Sequence, residues 1–102
     1  MFNVFEALVK TIRDRKSSSE QESYTKKLLV DKNLCREKVM EEINELVDAL
    51  NEKKREVNEA ADVFYHLLVL LEANNIKIED VLDELKKRQG TSGLIEKLNR
   101  KE

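Results

Sequence analysis

The sequence predicts an all-α chain, a bundle of about four to five helices completed by homodimerisation. Three observations lead there. The 102 residues hold no proline and two glycines, 39% are charged and 5% aromatic, a balance typical of chains rich in Glu, Lys and Leu that form helices. The apolar residues recur three and four positions apart instead of alternating. The segment Val63–Leu71 is apolar almost all round, broken only by Tyr65 and His66. Such a helix needs burial on every side, which one short chain hardly supplies, so a second copy is expected against it. The length fits one domain over residues 1–102.

Phe5, Leu8, Val9 and Ile12 give a first amphipathic helix over about Asn3 to Lys16. Ser17 to Glu22 read as a mobile loop. Ser23 is placed to cap a short second helix that begins near Tyr24 and carries Leu28, Leu29 and Val30. A third helix runs from Asp31 or Asn33 to about Leu50. Its residues Val39, Ile43, Leu46, Val47 and Leu50 fall within about 100° of arc. Asn51 to Arg55 form a short connection, which favours antiparallel neighbours. The fourth helix spans about Arg55 to Ala73, and Asn74-Asn75 suits a left-handed stop. Ile78, Val81, Leu82 and Leu85 define a fifth helix with basic Lys86, Lys87 and Arg88 at its end and Gly90 as cap. Thr91 to Gly93 make a flexible joint before the tail, Leu94 to Glu102.

Several classes are excluded or disfavoured. The net charge of −2 is spread without a basic stripe, so nucleic-acid binding has no electrostatic footprint. No apolar run approaches the ~20 residues of a membrane span. The apolar start, Phe2 to Phe5, is cut by Glu6 and Lys10, unlike a secretory signal. Cys35 is the single cysteine and reads as a small buried thiol. A cytoplasmic location is expected.

Chemistry concentrates between Glu41 and Leu71. Glu42-x-x-Glu45 and Glu59-x-x-Asp62 each put two carboxylates on neighbouring turns of one helix face. With 21 acids in 102 residues, about four such pairs arise by chance, so each alone is weak and a solvated face is the plain alternative. Asp62 strengthens the case: Ala60, Ala61, Val63 and Phe64 surround it, and a carboxylate near a core needs a partner or a metal. If the two helices form a hairpin, the pairs meet as a four-carboxylate site. Four clustered acids repel one another unless a cation joins them. Oxygen ligands favour Mg²⁺, with Mn²⁺ as substitute, and such an ion suits hydrolysis of a phosphoanhydride by neutralising phosphate charge. Glu41 projects about 100° round from Glu42. Lys38, Glu41 and His66 flank the acids as candidate supports. His66 shares a face with Glu59 and Asp62, although a satisfied core histidine fits it as well.

Longer motifs carry a resemblance. They are S-Y-T-x-K-L at Ser23–Leu28, K-V-x-E-E-x-x-E at Lys38–Glu45, E-A-A-D-x-x-Y-H-L-L-V-L-L at Glu59–Leu71, E-D-V-L-x-E-L-x-x-R at Glu79–Arg88, and S-G-L-x-E-K-x-x-R at the tail. In this order they resemble the phosphoribosyl-ATP pyrophosphohydrolases of histidine biosynthesis, within the all-α MazG-like nucleotide pyrophosphohydrolases. The resemblance implies hydrolysis of phosphoribosyl-ATP to phosphoribosyl-AMP and pyrophosphate. It implies Glu42, Glu45, Glu59 and Asp62 as Mg²⁺ ligands, with Glu41 at a family position too. It also implies Lys97, Arg100 and Arg88 as phosphate contacts. Ser23, Tyr24 and Thr25 lie on a matching motif without an assigned role; a capping and packing turn is their plain reading. Met40, Ile43 and Asn44 stand where the family has smaller residues, and altered packing beside the acids is expected from them. The cyclohydrolase fused to this activity in many organisms is expected to be a separate protein. The alternatives are a house-cleaning MazG-like nucleoside triphosphate pyrophosphohydrolase, which shares the acids, and a non-enzymatic helical interaction module, in which they are solvated.

Overall fold

A computed structural model describes residues 3–89. It holds five α-helices and, among the described residues, no strand: α1 Asn3–Asp14, α2 Tyr24–Val30, α3 Lys32–Glu52, α4 Glu56–Ala73 and α5 Ile78–Arg88. A short 3₁₀ turn over Arg15–Ser17 follows α1, so the first helix ends two residues before the expected boundary. The expected Gly90 cap and the tail lie outside the described residues; α5 ends at Arg88, with Gln89 in the cap position.

Local chemistry sets the helix starts. The Ser23 hydroxyl accepts from the Lys26 N–H at 3.1 Å, and the Asp31 carboxylate accepts from the Leu34 N–H at 3.0 Å. Each satisfies an amide that the first turn would otherwise leave bare. Asn75 ends α4 in the left-handed region at φ 60°, as the Asn-Asn pair predicts. The connection after α3 is tighter than expected, because Asn51 and Glu52 stay helical.

The core gathers Val9 and Ile12 of α1, Leu28 and Leu29 of α2, Cys35 of α3, and Leu68, Val69 and Ala73 of α4, with Ile78 of α5. Ile12, Leu28, Val69 and Cys35 are fully enclosed; burial of each aliphatic side chain contributes about 1.5–3 kcal/mol. A charged clamp ties the outer helices to α4. The Arg13 guanidinium donates to Glu72 at 3.0 Å and to both Glu79 oxygens at 2.8 and 2.7 Å. Lys16 donates to the other Glu72 oxygen at 2.8 Å.

α3 makes its most extensive contact with α4, and a three-residue connection makes the pair an antiparallel hairpin. The apolar stripe of α3 divides. Val39 is buried, whereas Met40, Ile43, Val47 and Leu50 are exposed, as are Val57, Phe64 and Leu67 of α4. Helical geometry puts both exposed sets on one side of the hairpin, within arcs of about 80°. The acids fall on the other side.

Candidate metal centre and its surroundings

The structure brings the sequence-predicted acids together. Carboxylate oxygens of Glu42, Glu59 and Asp62 lie within 4.8 Å of one another, and so do those of Glu41, Glu42 and Glu45. Glu42 belongs to both groups and links the two helices. Its position follows from the wheel of α3, where it shares the α4-facing side with buried Cys35, Val39 and Ala49. Glu41, expected on the far side, reaches round to the group because neighbouring Glu side chains are long enough to converge. Lys38 pairs with Glu41 at 3.3 Å.

These acids open on a cleft of about 650 Å³ between α3 and α4. It is lined by Glu42, Glu45, Asp48, Ala49, Glu52, Lys54, Arg55, Glu59 and Asp62. Burial, a hydrogen bond with Glu45, and the charges of Glu45, Asp62 and Glu59 push the Glu42 carboxyl up to about 7 from 4.5. Glu59 is mostly buried, and its Oε2 has no hydrogen-bond partner; Oε1 lies 3.7 Å from Arg55 Nε. An enclosed carboxylate oxygen without a donor, among further carboxylates, fits a hard divalent cation. The donor set is all oxygen, as Mg²⁺ or Mn²⁺ requires.

A family model described as "Phosphoribosyl-ATP pyrophosphohydrolase" matches residues 5–89. The chain belongs to the phosphoribosyl-ATP pyrophosphohydrolase family. It is 45% identical over 105 residues to a "Phosphoribosyl-ATP pyrophosphatase" of Neisseria meningitidis serogroup B, covering 98% of this chain and 96% of the relative. It is 41% identical over 101 residues to one of Cereibacter sphaeroides, covering 96% and 98%. It is 42% identical over 102 residues to one of Caulobacter sp. strain K31, covering 98% and 95%.

In this phosphoribosyl-ATP pyrophosphohydrolase family member, two motifs far apart in the chain interlock. The His66 Nδ1–H donates to the Asp62 carbonyl at 2.7 Å, since a carbonyl only accepts. The Tyr24 hydroxyl then donates to His66 Nε2 at 3.0 Å, and Thr25 Oγ1 hydrogen-bonds the Tyr65 hydroxyl. Tyr24 stacks on Tyr65 with ring centroids 6.5 Å apart. The serine-tyrosine-threonine turn thus caps α2 and pins it to the tyrosine-histidine pair of α4. His66 is a buried, satisfied histidine held against the backbone of Asp62, not a side chain aimed at the acids.

Other expectations fare differently. Arg88 pairs with Glu84 of its own helix at 3.0 Å and is not among the residues lining the acidic cleft. Lys97 and Arg100 lie outside the described residues. Met40 is exposed at 60% and Ile43 at 37%, and neither lines the cleft. The departures at Met40 and Ile43 therefore alter the exposed apolar face of the hairpin instead of the packing beside the acids. The residue reading missed Asp48, Glu52, Lys54 and Arg55. Asp48 and Glu52 continue the three-and-four spacing after Glu45, a signal that could have found them. Lys54 and Arg55 carried none.

Proposed function

We propose that this chain hydrolyses phosphoribosyl-ATP to phosphoribosyl-AMP and pyrophosphate, the second step of histidine biosynthesis, with a divalent cation held by Glu42, Glu45, Glu59 and Asp62. The observation that carries the reading is Glu42, whose carboxylate joins the acids of α3 to those of α4. The family relatives bear the name of that activity over nearly their full length. Mg²⁺, or Mn²⁺ in its place, would offset charge on the phosphates and favour attack by water on the α–β anhydride. The chain's own residues do the rest. Two rigid helices fix the acids, the Tyr24–His66 contact steadies the turn that carries Asp62, and one carboxylate takes the proton of the attacking water. Arg88, Lys97 and Arg100 are proposed as further phosphate contacts, with Arg88 exchanging Glu84 for substrate.

A homodimer belongs to the same reading. Phe64 is 62% exposed and Val57 82% exposed in one chain; with Met40, Val47 and Leu50 they form an apolar face that a second copy would cover. The proposed setting is the cytoplasm, where the buried thiol of Cys35 would stay reduced.

The test is pyrophosphate release from enzymatically prepared phosphoribosyl-ATP, with Mg²⁺ or with chelator, beside a panel of ordinary nucleoside triphosphates. Metal-dependent turnover confined to phosphoribosyl-ATP is expected. Turnover of the triphosphate panel instead would identify a house-cleaning enzyme, and no turnover with any nucleotide would leave a helical interaction module.

A further inference from the structure

The turn between α3 and α4 has an unusual backbone. Lys53 and Arg55 both sit in the left-handed region, at φ 58° and 61°, although neither is glycine. Such residues cost on the order of 1 kcal/mol each. Between them, the Lys54 N–H donates to the Ala49 carbonyl at 3.1 Å and closes the end of α3. The outcome is that Lys54 and Arg55 stand over the acids: among the described residues they are the only basic ones lining the cleft. Lys54 makes no ion pair among the described residues. Arg55 touches Glu59 only at 3.7 Å, with its side chain 71% exposed, so its fork of donors is open to another acceptor.

We infer that Lys54 and Arg55 of this turn hold the pyrophosphate portion of the substrate, opposite the acids that hold the cation. This rests on the function proposed above. Six carboxylates line the cleft, and a triphosphate would bring several more negative charges. One divalent ion cannot offset both. Cations at the open end would neutralise the β and γ phosphates, and an arginine fork matches phosphate oxygens in pairs. The strained turn is then a device that places charge, since an ordinary connection could reverse the chain without the two left-handed residues.

The test is calorimetric titration of magnesium pyrophosphate into the full chain, which needs no turnover. Replacing Lys54→Ala and Arg55→Ala together should weaken binding by about 10- to 100-fold, the worth of a hydrogen bond to a charged group, with the helical content unchanged. Lys54→Arg with Arg55→Lys should restore most of the affinity. Lys53→Gly, in the same turn but not lining the cleft, should bind as the wild type does. Unchanged affinity in the double alanine variant, no binding by the wild type, or an equal loss in Lys53→Gly would overturn the inference. Phosphoribosyl-ATP turnover by the wild type is measured on the same sample. If turnover is present while pyrophosphate binding ignores the turn, only the turn assignment falls. If turnover is absent, the proposed function falls, and the titration still decides whether the turn binds pyrophosphate.

Discussion

Glu42→Gln should change stability in opposite directions with and without metal. In chelator, Glu42 sits among Glu45, Glu59 and Asp62, and its carboxyl titrates near 7 in the fold against 4.5 when free. A group whose folded value is raised keeps its proton longer in the fold than in the unfolded chain. The fold therefore loses stability as pH rises from about 4.5 to 7, and the loss is complete above that. Taken in full, the shift corresponds to about 3 kcal/mol; the open water of the cleft screens it to roughly 1–2 kcal/mol. Glutamine keeps the shape and removes the charge. At pH 8 in chelator the variant should melt about 5–10 °C above the wild type, and the difference should vanish near pH 4.5. Added Mg²⁺ should reverse the order, because a cation at about 100 times its dissociation constant adds ~2.7 kcal/mol to the form that binds it. The assay is thermal melting by circular dichroism at fixed protein concentration. A variant that melts below the wild type in chelator at pH 8, or that gains as much from Mg²⁺, would refute the reasoning.

Further outcomes follow from the same contacts. Asp62→Asn and Glu45→Gln should each abolish pyrophosphate release while circular dichroism reports an intact helical fold; retained activity in both would remove the metal assignment. Arg13→Ala leaves buried Glu72 with Lys16 alone and should cost about 2 kcal/mol at pH 7. Lys16 and Arg13 hold the Glu72 carboxyl below its ordinary value against the opposing effect of burial, and Arg13 holds Glu79 down at about 2. Lowered folded values give stability that is present above 4.5 and lost toward pH 2, so the cost of Arg13→Ala should shrink across that window in acid melts. Tyr24→Phe removes the donor to His66 Nε2 and should lower stability by about 1 kcal/mol in thermal melts, with a weaker melting response to Mg²⁺. Lys97→Ala should raise the KM for phosphoribosyl-ATP; an unchanged KM and rate would dismiss its phosphate role.

The helices were legible because their apolar residues recur at the helical period, and the acidic cluster because Glu42, Glu45, Glu59 and Asp62 pair at three-residue spacing inside that period. Contacts set by tertiary geometry were not legible. Nothing in the spacing of Val39 to Leu50 says which part of the stripe meets α4 and which stays open. Arg13 and Glu79 are 66 positions apart, and only folding reveals that they clamp α1 to α5. The Tyr24–His66 contact joins two motifs that were visible separately, but its hydrogen bonds depend on how α2 lies across α4. Lys54 and Arg55 looked like any polar turn, since a left-handed backbone at lysine and arginine leaves no compositional trace.

The central claim is that acids of two neighbouring helices share one divalent ion. It is tested most directly by a crystal grown with Mn²⁺ and measured for anomalous scattering. A peak in contact with carboxylates of Glu42, Glu59 and Asp62 at about 2.0–2.2 Å is the expected result. Ordered carboxylates with no peak between α3 and α4 would contradict it.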